Sequence, residues 1–195
     1  MKKITLFLLV MFLLSTIYAG DFFMAKQCYE SPTLFVWDHL EDSWMTEIVT
    51  DSKGCKLLVA VGPVFSYSKG FELKLPISLD FTDDLTFCGL SPAVRANWDT
   101  GLWSFQSWHT VNFNSKRDME LSSWVTSDYA LFFLGKENKL GIGIQSRVDA
   151  IIMADCCFTP GIMYQHIMER GFSVETFLGT NHYGPVTHIA LKLYL

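Results

Sequence analysis

The chain has 195 residues, half of them hydrophobic and 18% charged, with 15 basic against 20 acidic side chains. That apolar content excludes a disordered chain, and the acidic balance excludes a nucleic-acid partner, which needs a basic face. The length fits one domain.

Residues 1–19 read as a secretory signal. Lys2 and Lys3 form its positive region, residues 4–14 its apolar run and residues 15–19 its cleavage region. The apolar run falls short of the about 20 residues that a spanning helix needs. Without the two lysines the balance is 13 basic against 20 acidic side chains. No later stretch is long and apolar enough for a transmembrane helix, so a membrane-embedded mature chain must cross as a β-barrel.

Residues 20–55 carry a mixed pattern. Leu34 and Val36, then Met45, Glu47 and Val49, mark extended pieces, and residues 38–42 look like an acidic loop. A plug, a helix on the membrane surface and an extra hairpin all remain open.

Over residues 56–195 the pattern settles to a period of two. Leu57, Val59, Val61, Pro63, Phe65 and Tyr67 share one face against a face of small residues. After the turn at 68–70, Phe71, Leu73, Leu75, Ile77, Leu79 and Phe81 alternate with Glu72, Lys74, Pro76, Ser78 and Asp80. Residues 88–98 alternate again, Asp99-Thr100-Gly101 makes a hairpin turn, and residues 102–114 return. Further strands follow over 119–134, 139–153, 158–168 and 172–179. The last strand places Ile189, Leu191, Leu193 and Leu195 on one face, with His188, Ala190 and Lys192 on the other. Segments of about ten residues with regular turns predict an all-β fold, a closed antiparallel transmembrane β-barrel of about 8–10 strands.

Alternation alone does not say which face meets lipid. Residues 140–152 do: Leu140, Ile142, Ile144 and Val148 oppose Gly141, Gly143, Gln145, Arg147 and Asp149. Glycines mixed with paired charges fit a crowded lumen, whereas a solvated exterior would carry repeated Lys and Glu. Arg95, Arg147, Asp149, Glu72, Lys74, Glu120, Asp128, Glu175 and Lys192 are therefore expected to point inward as a neutralising charge network, or as a constriction that selects a small solute. Trp98, Trp103, Trp108, Trp124, Tyr129, Phe132 and Phe133 are expected in the interfacial girdles. His109 shares a face with Trp103, Phe105, Val111 and Phe113, which fits neither face cleanly.

Of the five cysteines, Cys28 and Cys55 are the simplest pair for a disulfide in an oxidising compartment, worth roughly 3–4 kcal/mol by loop closure. The adjacent Cys156 and Cys157 lack the spacing of a tetrahedral metal site. No hydrolase elbow, phosphate loop or zinc-protease helix appears, so no catalytic residue, metal or cofactor is expected.

Three stretches carry a resemblance over residues 98–195: Trp98-Asp99-Thr100-Gly101-Leu102-Trp103, Leu140-Gly141-Ile142-Gly143, and Gly179-Thr180 through Gly184 to the final strand. Their layout resembles that of the outer-membrane lipid A palmitoyltransferases, which implies a small outer-membrane barrel. That family uses a histidine on an early strand and an Asp-Ser pair on a surface loop. Here Asn114-Ser115 stands in place of the pair and no histidine lies between Lys56 and Asp99, so the architecture carries over and the activity does not. His182-Tyr183-Gly184 is similar to the His-Ser element of lipid A deacylase barrels, with glycine where the serine belongs.

The sequence thus predicts a bacterial outer-membrane barrel of structural, adhesive or porin-like role, non-enzymatic, in contact with membrane lipid and lipopolysaccharide. A lipid A-modifying barrel and a soluble periplasmic lipocalin-like carrier are the alternatives.

Overall fold

The computed structural model describes residues 21–28, 33–41, 43–52, 56–68, 70–82, 84–149, 156–168 and 172–194. Among them the chain forms thirteen strands: β1 Asp21–Cys28, β2 Leu34–Glu41, β3 Trp44–Asp51, β4 Lys56–Ser68, β5 Phe71–Lys74, β6 Ile77–Thr82, β7 Phe87–Asp99, β8 Trp103–Asn114, β9 Glu120–Leu134, β10 Asn138–Asp149, β11 Cys156–Ile167, β12 Phe172–Asn181 and β13 Gly184–Tyr194. Among the described residues the one helical element is a 3-10 turn at Ser115–Arg117 between β8 and β9.

Apart from β5 and β6, which do not pair with each other, each strand pairs antiparallel with its neighbours in sequence, and β1 pairs with β13, from Phe22 opposite Tyr194 to Cys28 opposite His188. The sheet therefore closes on itself. β5 and β6 both lie between β4 and β7 and are two halves of one stave, so the barrel has twelve. The break falls at Leu75-Pro76. Proline has no N–H for a ladder, and the Pro76 carbonyl instead accepts from Ala93 N at 2.8 Å.

The expectation of eight to ten strands is low by two or more, and the reason is local. Residues 20–55, left open as plug, helix or hairpin, supply β1, β2 and β3, and the barrel begins at Asp21 rather than at residue 56. These strands are short, and their lumen face carries Val36, Met45 and Val49 among its acids, so no clean alternation shows.

Sidedness follows from exposure. On β13, Leu191 is 54% exposed and Lys192 beside it 7%; on β10, Ile142 reaches 70%. Met45, Ala60, Leu131, Met163 and Phe177 are fully buried inside, together with His188 at 1%. Apolar staves outside and a polar, close-packed interior are the arrangement that hydrocarbon requires, since a closed barrel leaves no backbone edge unpaired. A lipocalin-like carrier would have its greasy face inward, which is the opposite.

Aromatic rings gather outside near the end where β7 turns into β8. Phe65 stacks on Tyr67 at 6.2 Å, Trp98 meets Phe105 at 5.7 Å, and Trp103 meets Phe132 edge-on at 5.2 Å. In that turn Asp99 Oδ1 accepts from Gly101 N at 3.0 Å, and Gly101 takes φ +83°, a value that glycine adopts without penalty. Trp108, Tyr129 and Phe133, expected in the girdle, face inward. Register decides this: Trp108 lies opposite the inward Arg95, Tyr129 opposite Gly143, and Phe133 opposite Lys139.

Candidate functional site

The lumen is the site. Its first wall is built on β2, β3, β5 and β7. Arg95 donates to both oxygens of Glu47 at 2.6 and 2.8 Å. Two staves lie between their strands, and Ala60, opposite Glu47, is completely covered. A small residue there leaves room for a bidentate pair to form above the wall. The Arg95 guanidinium also lies 5.5 Å from the Trp108 ring centroid. Lys74, next to Arg95 in register, approaches Asp38 at 3.6 Å and Glu72 at 3.4 Å, and Asn97 donates to Glu72 at 3.3 Å.

The second wall uses β9, β10, β12 and β13. Lys192 donates to Glu175 at 2.5 Å, and His188 lies 3.7 Å from the other Glu175 oxygen. His188 Nδ1 meets Gln145 Nε2 at 3.1 Å, and Gln145 donates to the Tyr129 hydroxyl at 2.5 Å. Phe177 stacks on His188 at 5.3 Å and meets Tyr129 edge-on at 5.8 Å, over the buried Leu131 and Met163. Gly143 makes this possible, because a Cβ there would sit 2.1 Å from the Tyr129 ring. Gly143 thus seats the Tyr129 ring, while Gly141 lets the β9 backbone approach closely at Ala130. Lys139 approaches Asp99 at 3.8 Å and lies 4.3 Å over the Phe133 ring.

A polar chamber of about 430 Å³ opens toward the end that carries the 3-10 turn, lined by Asp80, Ser91, Thr110, Asn112, Ser123 and Arg147 among others. Ser91 Oγ lies 2.9 Å from Asp80 and 2.8 Å from Asn112, and Asn112 donates to Ser123 at 2.9 Å. Arg147 is exposed in this chamber and makes no ion pair among the described residues.

Of the side chains expected inward, Arg95, Glu72, Lys74, Glu175 and Arg147 face the lumen. The Asp149 side chain and the expected Cys28–Cys55 bridge lie outside the described residues. Glu120 is exposed at the start of β9, opposite Asn114 and beyond a register shift at Asn112/Phe113. One placement is corrected. Asp128 points outward, because it pairs with Ser107 and Ile144, both on the exterior face. Lumen residues that sequence reasoning did not place there are Asp38, Glu47 and Trp108. Asp38 had been read as loop, and Glu47 stood in a segment without clear alternation.

No protein-family model matches the chain, and no curated protein matches it in sequence. Solved structures do match in shape. The KdgM porin superposes at a TM-score of 0.65 with 9% identity, covering 90% of this chain and 99% of that one. The NanC porin gives 0.63 at 10% identity, covering 90% and 100%. The COG4313 outer membrane channel from Pseudomonas putida F1 gives 0.61 at 9% identity, covering 90% and 95%. The chain has the porin fold. Among barrels of this fold, twelve staves give a wider ring than the eight that side chains alone fill.

The pair compared with the palmitoyltransferase Asp-Ser element lies at the 3-10 turn after β8. Asn114 Oδ1 accepts from Lys116 N at 2.9 Å and caps the 3-10 turn, and Ser115 donates to the Phe87 carbonyl at 3.2 Å and ties that turn to β7. His182 lies exposed against the Tyr183 ring at 3.9 Å, in the turn before β13.

Proposed function

We propose that the protein is a narrow channel of the bacterial outer membrane, embedded in lipid and lipopolysaccharide, that passes small polar solutes. One observation carries this reading: charged side chains pair with one another across the inside of a closed ring whose outside is apolar. The pairs cancel most of the lumen charge, which favours solutes held by hydroxyl and amide contacts rather than by a strong field.

The KdgM porin has been solved in complex with disordered oligogalacturonate. In this chain an acidic sugar would meet Arg147, with Asn112, Ser91 and Thr110 available for its hydroxyls. A charge-assisted contact of that kind is worth about 1.5–3 kcal/mol.

Planar-bilayer recording of the refolded chain tests the reading. Stepwise conductance is expected, with millimolar galacturonate reducing the current and Arg147→Ala abolishing the block. A folded protein that carries no current would overturn the channel. Conductance unaffected by galacturonate would overturn the acidic-sugar reading alone.

A further inference from the structure

The outer wall holds a polar cluster where hydrocarbon should be. Ser107 and His109 are two residues apart on β8, so both point outward, and Asp128 of β9 lies opposite Ser107. Ser107 donates to Asp128 Oδ1 at 2.5 Å. His109 Nε2 lies 3.2 Å from that oxygen and 3.0 Å from Ser107 Oγ. The His109 and Asp128 side chains each remain 37% exposed. Ser107 stands four residues into β8 from Trp103, which places the cluster about 10 Å above the aromatic girdle for a tilted strand. Ionisable groups at that depth are costly and rarely face lipid without a purpose.

Directly beside the cluster runs an apolar groove of about 750 Å³. Ala96 and Ala130 lie low in it, Trp98, Phe105, Ile142 and Ile144 line it, and Ser107 and Asp128 belong to its lining. The wall faces the bilayer, so the material at hand to fill this groove is an acyl chain. Within the cluster both named contacts of Asp128 fall on Oδ1. Among the described residues no hydrogen bond to Oδ2 is made, and Asp128 belongs to the groove's lining, so this acceptor is left for a ligand there.

We infer that the groove and the Ser107–His109–Asp128 cluster together form a binding site for one membrane lipid. Its acyl chain lies in the groove, and it presents a hydroxyl or amide N–H to Asp128. An ester carbonyl has no hydrogen to give and does not satisfy this acceptor. The cluster is not arranged for hydrolysis. Ser107 donates its hydroxyl hydrogen bond to the carboxylate, and the imidazole meets both partners through the same nitrogen, so no base stands behind the hydroxyl with an acid behind the base. The inference depends on the outer wall facing lipid and not on conduction.

Native mass spectrometry of the refolded full chain in detergent tests it, with two probes of equal chain length. N-(3-hydroxytetradecanoyl)ethanolamine offers donors, and methyl tetradecanoate offers none. One copy of the first probe is expected per chain, with the second binding about tenfold or more weakly. Asp128→Ala is expected to erase the difference between the probes, and Ala130→Leu, which fills the groove, to weaken both. Slower migration on boiling shows that each variant is folded, and His109→Gln serves if Asp128→Ala is not. Equal binding of the two probes overturns the proposal. So does binding that Ala130→Leu leaves unchanged, or a dimer mass in place of a lipid adduct.

Discussion

Arg95 and Glu47 show what single residues contribute here. Glu47 is 5% exposed, and its bidentate partner reaches it across two staves. Removing the arginine leaves a covered carboxylate alone, and Arg95→Ala is expected to lower stability by roughly 2–5 kcal/mol. Urea unfolding in phospholipid vesicles measures this. The double variant Arg95→Met, Glu47→Leu should recover most of the loss, because hydrophobic replacement of both partners removes the stranded charge. Gly143 is the steric counterpart. Gly143→Ala pushes against the Tyr129 ring and is expected to cost roughly 1–3 kcal/mol, with loss of the Tyr129–Gln145 bond visible as a change in near-ultraviolet circular dichroism. Outside the membrane, Asp84 accepts from the Thr82 hydroxyl and from Thr86 N, which hold its carboxyl below the ordinary 3.8. Its folded value lies below its unfolded one, so its stabilisation is present above pH 3.8 and fades as pH falls through the folded value. Thermal unfolding of Asp84→Asn should therefore converge with that of the parent chain only in that acidic range.

At the scale of elements, the alternation that was legible is the alternation that lipid enforces. On β10 and β13 every second residue faces outward, and Ile162 on β11 is 55% exposed in the same manner. Ile162→Arg is expected to cost about 2–4 kcal/mol in vesicles, whereas the same arginine at Thr159, on the lumen face of the same strand, should cost less and shift ion selectivity. β4 to β13 could be read because their outward faces are continuous. β1 to β3 could not, since Val36, Met45 and Val49 face inward and blur the pattern. Asp38, read as part of a loop, sits within β2 against Lys74. Asp128 was misplaced for a reason of chemistry: acids avoid lipid, so an inward direction was the natural expectation, and only the register with β8 and β10 reverses it. His109 gave the one usable signal, a histidine in phase with Trp103 and Phe105. Its meeting with Asp128 depends on cross-strand pairing, which no single strand encodes.

For the whole molecule, the ring of twelve staves predicts behaviour on a gel. The folded chain should run faster unboiled than boiled, and should stay with the outer-membrane fraction after osmotic shock. Release without detergent would contradict the sidedness. The pairing of β1 with β13 has a consequence for breakage. These two strands are the most distant partners in the chain, with Phe22 bound to Tyr194. Trimming either one strips hydrogen bonds from the other and opens two raw backbone rows to a medium that offers no replacement. Damage at one terminus is therefore felt at both, and a clipped molecule has no intermediate resting form. It loses its place in the bilayer outright, which makes wear of this protein an all-or-none event rather than a gradual decline.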